Sequence, residues 1–450
     1  MGNRAPDSLL RKNRAGILHR SGAIVHRPRR IEKAVGQSRH LMTGARIGFT
    51  LVSLFLVLAG IACGESGRKR PPLRDEWIDK DTGHKIIRLS RGEGNYEMFY
   101  FHQDPFTAEG DKMVFIGSTE KGRAAFTVDL KTLETRRITS DHPVSFEVVA
   151  PKRRELFYLS GDTVYSTHVD TLSTRAIAKV PAYYGFGRGF SVNADETLLA
   201  ACYAKGEETF YNTMPRDKWI KAIFEAELQN VIYTISIETG EVREFHTENA
   251  WLGHVQFSPT DPTLLEFCHE GPERRLHRMW LIRADGAGLT KVYPASVPET
   301  LVTHEFWDQD GDNIWFDLQV PRLRGKMDFV TYVFGPHTYL ARTSIKNGES
   351  TLYPLKRSQM CWHYNISKDG TLLCGDGEGR FFELARSARW IDLFVPEGDR
   401  LRVERLCNMK RHSYKTAPNA HFTPDGKRVV FLSDMDGSPQ VYAVEVQASR

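Results

Sequence analysis

The sequence predicts an all-β fold, a seven-bladed β-propeller with a short helical insertion in blade three, over residues 76–450. Three observations carry this prediction. The same strand–turn–strand unit recurs seven times. Each unit is followed by a second hairpin, so that one repeat supplies four strands, as a propeller blade does. One strand near the start of the repeats has no hairpin partner and can close the ring.

The repeated unit consists of two runs of alternating apolar residues joined by a short polar turn. Its turns contain Asp-Gly, Asn-Ala-Asp or Pro-Thr-Asp, which are typical of hairpins. The seven copies are FTAEGDKMVFIGS (106–118), VVAPKRRELFYLS (148–160), FSVNADETLLAACY (190–203), VQFSPTDPTLLEFC (255–268), FWDQDGDNIWFDL (306–318), YNISKDGTLLCGDG (364–377) and HFTPDGKRVVFLSD (421–434).

Two further segments complete the predicted architecture. The strand HKIIRLS (84–90) lacks a hairpin partner, so we expect it to pair with VYAVEV (441–446) in the last blade and remove the free sheet edge. The segment PRDKWIKAIFEAELQ (215–229) carries Trp219 and Ile223 at helical spacing after Pro215. It predicts an amphipathic helix that forms one wall of the site.

The N-terminus predicts an export signal. Residues 1–63 form a basic leader whose run IGFTLVSLFLVLAGIA (47–62) has the length of a signal-peptide core and is short for a membrane span. LAGIAC resembles a lipoprotein signal ending at Cys63, and Met42 is an alternative start. Residues 64–75 are predicted to be a tether between this leader and the folded domain. We therefore expect an exported protein that is either periplasmic or anchored to the membrane as a lipoprotein. An uncleaved membrane anchor is the alternative.

The positive charge of the chain is confined to this leader. Residues 1–46 contain eleven Lys and Arg against two Asp and Glu, which leaves 50 basic and 54 acidic residues in the rest of the chain. A nucleic-acid-binding domain carries an excess of basic residues. The folded part of the chain is therefore not predicted to bind nucleic acid.

Cysteine usage does not indicate a disulfide scaffold. Beyond Cys63 the chain has five cysteines without motif spacing, which we interpret as buried thiols. Cys361 and Cys374 flank a predicted turn, and a disulfide between them remains an alternative. The five are Cys202, Cys268, Cys361, Cys374 and Cys407.

Histidines mark the candidate site. WLGHVQFSPTDPTLLEFCHEGP (251–272) contains His254 and His269, and THEFW contains His304 at the start of the next repeat. Histidine titrates near neutral pH and binds metals, so it serves as a general base or a ligand. A single histidine beside a strand is usually structural. Histidines at matching places in successive repeats indicate a shared site.

Weaker candidates lie at the starts of other blades. His102 and His363 begin the predicted blades one and six and are candidates for substrate binding. Arg188 precedes blade three, where an arginine can clamp a carboxylate through two hydrogen bonds. His269 is a candidate to orient substrate or bind metal, with a turn hydrogen bond as the alternative. Asp376 is interpreted as a turn residue.

The motifs WLGHVQFSP, FCHEGP, THEFW and HFTPDGKRVVFLSDMDG, taken in this order, resemble the oligogalacturonate lyases, polysaccharide lyase family 22. The resemblance spans almost all of residues 72–446. It implies a seven-bladed propeller that cleaves short uronate oligosaccharides by β-elimination in pectin degradation. It also implies a divalent metal, generally manganese.

The resemblance assigns roles to individual positions. His254 matches the general base of the family and His304 matches a metal ligand. The remaining ligands of the family come from a Gln-x-x-His-x-His segment, whose matching positions are Tyr414, Ala417 and Asn419. Ala417 has no donor atom, so Asn419 is the second predicted metal ligand.

The sequence leaves alternatives open for the metal ligands and for the function. His412 and His421 lie near the altered segment and are alternative donors. The propeller could be a non-catalytic TolB-like module that binds a glycan or a protein. It could also be a related uronate-active enzyme with a different substrate. The lyase hypothesis requires His254 and His304 to converge on one face of the disc, together with His363 or His269.

Overall fold

The computed structural model describes residues 73–448, apart from 93, 121, 182–183, 185–187, 272–275, 323–334 and 378–388. The predicted leader (1–63), and with it the export signal, lies outside the described residues. Within them, the strands form seven antiparallel sheets arranged as propeller blades. No helix among the described residues is long and apolar enough to cross a membrane.

The strands follow the chain blade by blade. The first two are β1 (Glu76–Ile78) and β2 (Lys85–Arg88). Blade one contains β3 (Tyr96–Glu97), β4 (Lys112–Thr119), β5 (Gly122–Asp129) and β6 (Thr135–Arg137), and blade two contains β7 (Ser145–Ala150), β8 (Glu155–Ser160), β9 (Thr163–His168) and β10 (Thr174–Lys179). Blade three contains β11 (Arg188–Val192), β12 (Leu198–Ala204), β13 (Asn230–Ser236) and β14 (Val242–Glu248), and blade four contains β15 (Leu252–Phe257), β16 (Leu264–His269), β17 (Met279–Arg283) and β18 (Thr290–Lys291). Blade five contains β19 (Leu301–Trp307), β20 (Asn313–Val320), β21 (His337–Ser344) and β22 (Ser350–Leu355). Blade six contains β23 (His363–Ile366), β24 (Leu373–Asp376), β25 (Trp390–Glu397) and β26 (Arg400–Asn408), and blade seven contains β27 (His421–Phe422), β28 (Arg428–Ser433) and β29 (Gln440–Glu445).

The ring closes as predicted. Strand β2 pairs with β29, with Ile86 opposite Val444. A fifth strand that was not predicted, β1, then covers β2. Arg74, just before β1, forms an ion pair with Asp436 at 2.7 Å. The tether (64–75) stays a prediction, because residues 64–72 lie outside the described residues.

Side chains from adjacent blades pack against each other to form the core. Seven buried apolar clusters are present, one between each pair of neighbouring blades. Alternate residues of each strand point to opposite faces of its sheet, so the central strands are apolar on both faces. Cys202, Cys268, Cys361, Cys374 and Cys407 are buried free thiols, as predicted. The alternative disulfide between Cys361 and Cys374 is absent.

The helical insertion is present in blade three, with shorter bounds than the predicted 215–229. It contains α1 (Glu208–Thr213) and α2 (Arg216–Ala226), between β12 and β13. Pro215 precedes α2 in extended conformation. Because β12 runs antiparallel to β11, the insertion lies at the rim of the disc where β11 begins.

Residues 98–105, which we call the channel plug, leave blade one and cross the central channel. The side-chain amide of Gln103 donates hydrogen bonds to the carbonyl oxygens of Glu147 (3.2 Å) and Phe190 (3.0 Å), in blades two and three. Asn365 of blade six donates to the carbonyl of Phe101 at 3.1 Å. The repeat pattern in the sequence gives no sign of this plug. The plug also corrects the placement of His102, which lies on the plug and not at the start of a blade strand.

Candidate active site

One residue in each blade, matched by its count from the first turn, occupies what we call a ring position. In each blade the inner strand ends at a residue that opens the first turn, for example Ser258, Asp308 and Ser367. The ring position lies four residues earlier. The ring residues from blade one to blade seven are Gln103, Phe146, Gly189, His254, His304, His363 and Asn419. Three histidines and an asparagine therefore occupy four consecutive blades.

Bulges in the inner strands direct the ring side chains. The pairing register shifts between Gly253 and Gln256 in β15 and between Thr303 and Phe306 in β19. A bulge re-aims the side chains it contains. His254 and His304 have φ values of 48° and 53°, in the left-handed region that non-glycine residues rarely adopt. Asn419 has a φ of 49°, so blade seven repeats this conformation.

His254 is held by a buried ion-pair network. Its Nδ1 lies 2.9 Å from Oε1 of Glu305, and the Arg278 guanidinium binds the other oxygen of Glu305 at 2.7 Å. Burial opposes ionisation of Glu305, but Arg278 and the hydrogen bond with His254 hold the pKa of that carboxyl well below its usual range. An ionised carboxylate only accepts hydrogen bonds, so Nδ1 carries the proton. A neutral His254 then has its lone pair on Nε2, which lies 3.4 Å from a carboxylate oxygen of Glu270.

His304 and His363 lie beside each other on blades five and six. Their ring centroids are 5.1 Å apart. Nδ1 of His304 contacts Asp317 at 2.9 Å and Nδ1 of His363 contacts Asp376 at 3.1 Å. Burial lowers the pKa of His304, although Asp317 opposes this effect. His304 is therefore neutral at neutral pH, with Nε2 available.

The remaining predicted site residues differ in placement. The His102 ring lies 5.6 Å from that of His254, and burial holds its pKa well below the usual value. Arg188 begins β11, and its side chain lies outside the described part of the structure. His363 is 2% exposed, and its role in substrate binding stays a prediction.

His269 does not join the ring, which corrects the expected convergence for this residue. Its Nε2 contacts Glu248 at 2.6 Å, and its ring stacks on Trp280. The neighbouring Cys268 side chain lies close to His254. Because side chains alternate along a strand, His269 points to the opposite face of the sheet.

The two alternative donors near the altered segment are engaged elsewhere. Nε2 of His421 lies 2.9 Å from the carbonyl of Gln103, its Nδ1 lies 2.8 Å from the carbonyl of Asn419, and burial lowers its pKa to about 4. Nε2 of His412 lies 3.0 Å from the carbonyl of Thr416. His421 thus fixes the channel plug, and His412 fixes the loop before β27.

Donor atoms of His254, Cys268 and Glu270 lie within 4.8 Å of one another, as the ligands of a metal ion would. However, the Arg278 guanidinium is 3.4 Å from both Glu270 and His254. Burial also raises the pKa of the Cys268 thiol well above its usual value, so it stays protonated. We therefore interpret this cluster as a hydrogen-bond network and not as a cation site.

Sequence reasoning missed the partners of the histidines. Arg278, Glu305 and Asp317 were not singled out, and Asp376 was interpreted as a turn residue although it ends strand β24 and is fully buried. Strand register could have found the two aspartates. It places Asp376 opposite His363, and Asp317 opposite Thr303, the neighbour of His304.

Comparison with known proteins identifies the family. A model of the family described as oligogalacturonate lyase matches residues 66–392. The chain belongs to the oligogalacturonate lyase family. The resemblance inferred from the WLGH, FCHEGP and THEFW motifs is thereby confirmed, and members of this family are lyases.

Individual relatives can be aligned with this chain over most of their length. An oligogalacturonate lyase of Dickeya dadantii is 28% identical over 408 residues, covering 82% of this chain and 95% of the relative. An oligogalacturonide lyase of Pectobacterium atrosepticum is 27% identical over 407 residues, 85% of this chain and 98% of its own. A solved structure described as an oligogalacturonate lyase in complex with manganese has a TM-score of 0.70 and 25% identity, covering 83% of this chain and 96% of its own. The seven-bladed fold is thus shared.

Proposed function

We propose that this protein cleaves short oligogalacturonates by β-elimination, with His254 as the general base. The His254–Glu305–Arg278 network at the ring is the observation that carries this proposal. A carboxylate that fixes the imidazole tautomer and supports the imidazolium is typical of a catalytic base. A propeller that only binds a ligand has no need for such a buried network.

The chemistry follows from this arrangement. Nε2 of His254 takes the proton from C5 of the sugar, next to the carboxylate. The C4–O bond breaks as the C4=C5 double bond forms, and the leaving oxygen takes up a proton. Glu305 stabilises the positive imidazolium, while Arg278 keeps Glu305 ionised and in place. The helical insertion packs beside this end of the channel, with the ring of Trp219 6.2 Å from that of Trp251.

A divalent cation fits the residues at the ring. The solved relative carries manganese, and both predicted ligands, His304 and Asn419, occupy ring positions. Oδ1 of Asn419 is buried and has no hydrogen-bond partner within the described residues, as expected for an oxygen that binds a ligand. When bound, a cation there supplies positive charge to stabilise the enolate-like charge of the substrate carboxylate.

The test of the proposed function is turnover. Purified protein is incubated with oligogalacturonate and Mn²⁺, and the unsaturated product is followed by its ultraviolet absorbance. His254→Asn keeps a hydrogen bond but removes the base, so kcat should fall roughly 10²- to 10⁴-fold with little change in substrate binding. His269→Asn, on the far face of blade four, is the matched control and should retain activity. Equal turnover by the His254 variant would refute the role of this residue.

We also propose that the protein is exported, on the strength of the leader (1–63) alone. The apolar run at 47–62 and Cys63 support this proposal. Mass spectrometry of the native protein tests it. A mature N-terminus at or after Cys63 would support export, and a diacylated Cys63 would identify the lipoprotein form. An intact leader on a cytosolic species would contradict it.

A further inference from the structure

We propose that His304, His363 and Asn419, at the ring positions of three consecutive blades, together bind a divalent cation. His363 thereby supplies a donor in place of the one lost at Ala417. The proposal rests on the proposed function, because that function is the reason to expect a cation next to His254. It adds a metal ligand, His363, that the family pattern does not assign.

The three residues come from matching stretches of three inner strands. Each lies four positions along the chain before the turn of its blade. Blades five, six and seven are neighbours in the ring. The family pattern instead draws its other ligands from 414, 417 and 419, of which Ala417 offers no donor atom.

Two aspartates orient the imidazoles of His304 and His363. Asp317 holds Nδ1 of His304 and Asp376 holds Nδ1 of His363. Metal-binding histidines donate the other ring N–H to a carboxylate in this manner, which presents the remaining nitrogen to the metal. Among the described residues, no hydrogen bond to Nε2 of either ring is present. The ring centroids are 5.1 Å apart, so the two imidazoles are near enough to contact one cation.

Asp376 also links blade six to blade seven. Asp376 accepts hydrogen bonds from the backbone N–H groups of His363 (3.0 Å) and Ala420 (3.3 Å). The same carboxylate therefore fixes His363 and the backbone next to Asn419. Oδ1 of Asn419 has no hydrogen-bond partner in the described structure. Two imidazoles and an amide oxygen suit Mn²⁺, and about three coordination positions would remain for water or substrate oxygens.

Binding of Mn²⁺ to the full chain, without substrate, tests the proposal. Continuous-wave EPR measures free Mn²⁺, which gives the dissociation constant, and pulsed EPR measures coupling to imidazole nitrogen. We expect two coupled imidazoles in the wild type and one in His363→Gln, with at least about tenfold weaker binding. His269→Gln is the matched control and should bind as the wild type does.

Two further measurements keep the test decisive if His363→Gln folds poorly. Circular dichroism reports folding, and Asp376→Asn, which leaves the ligand in place, should weaken binding by about 10- to 100-fold. Two results would overturn the proposal. One is a wild-type protein in which only one imidazole couples to Mn²⁺, and the other is a folded His363 variant that binds Mn²⁺ as tightly as the wild type. His254→Asn should bind Mn²⁺ normally while inactive. A protein that binds Mn²⁺ through His363 but does not cleave oligogalacturonate would refute the proposed function alone.

Discussion

At the scale of single residues, the site depends on pairs of imidazole and carboxylate. His254, His304 and His363 each have Nδ1 against a carboxylate of a buried residue. A buried carboxylate must be paired to remain ionised. The pairs therefore fix tautomers, and they leave the opposite nitrogen of each ring for chemistry or for a ligand.

Glu305 should act as a positioning residue for His254. In Glu305→Gln the amide can donate to Nδ1 and select the wrong tautomer, so kcat should fall roughly 10²- to 10⁴-fold. KM should change by less than about threefold, because the Glu305 side chain is fully buried and cannot reach bound substrate. Steady-state kinetics measure both constants. A variant that raises KM and leaves kcat intact would show that Glu305 acts in binding instead.

Asp392 should make stability depend on pH. It is 2% exposed, and burial raises its pKa from 3.8 to about 7. Between these values the folded state keeps a proton that the unfolded state releases. The free energy of unfolding that this group contributes is therefore complete below pH 4 and is lost as pH rises through 7.

Replacing Asp392 by Asn removes this effect. Asp392→Asn should be more stable than the wild type by about 1–3 kcal/mol at pH 8, with the difference shrinking towards zero near pH 4. Urea unfolding at several pH values measures the difference. Asp399→Asn, whose carboxylate is 93% exposed, serves as the control. A constant difference across this range would argue against a buried, titrating Asp392.

At the scale of elements, the channel plug connects the blades and supports the site from within the channel. The ring of Phe101 stacks on that of His363 with centroids 4.8 Å apart, and Tyr100 lies 5.4 Å from His254. Gly189, the ring residue of blade three, has no side chain where the plug passes. A Cβ there would lie 3.3 Å from the Gln103 amide. A side chain at this position would therefore require the Gln103 amide to shift by a few tenths of an ångström.

Removing the Phe101 ring should affect both stability and activity. Phe101 is fully buried, so Phe101→Ala should lower the free energy of unfolding by about 3–5 kcal/mol. Because His363 loses its stacking partner, Mn²⁺ affinity should also fall. Leu352→Ala, at a side chain that is 39% exposed, is the stability control. Chemical denaturation and Mn²⁺ titration check the two effects, and an unchanged affinity would separate the plug from the cation site.

At the scale of the whole molecule, residues near both ends of the described chain share blade seven. Strand β2 supplies buried Ile86 and Ile87 to two different interfaces between blades. The closing strand therefore joins blade seven to both of its neighbours, and it also removes a free sheet edge.

Two isoleucines in adjacent strands test this closure. Ile86 is 0% exposed and Ile78 is 47% exposed. Ile86→Ala should lower the free energy of unfolding by about 2–5 kcal/mol, while Ile78→Ala should change it by less than about 0.5 kcal/mol. Urea denaturation measures both variants. Similar losses at the two positions would contradict closure through a buried β2.

The sequence by itself determined the fold, the closing strand and the family. Hairpin turns and alternating apolar residues are local signals, so the seven blades and the helix near residues 215–229 could be read from the chain. WLGH and THEFW likewise marked His254 and His304, because each motif lies at the same place in its blade.

Only the tertiary structure decided how the site is built. Arg278, Glu305 and Asp376 are ordinary residues of strands or their edges until the blades bring them to the histidines. The bulges change which side chains of the inner strands face the channel. The channel plug has no glycine, proline or charge pattern before residue 104 that would mark where it leaves blade one. His269 is separated from His254 because strand register and the alternation of side chains within one sheet decide which side chains meet. Distance along the chain does not decide this.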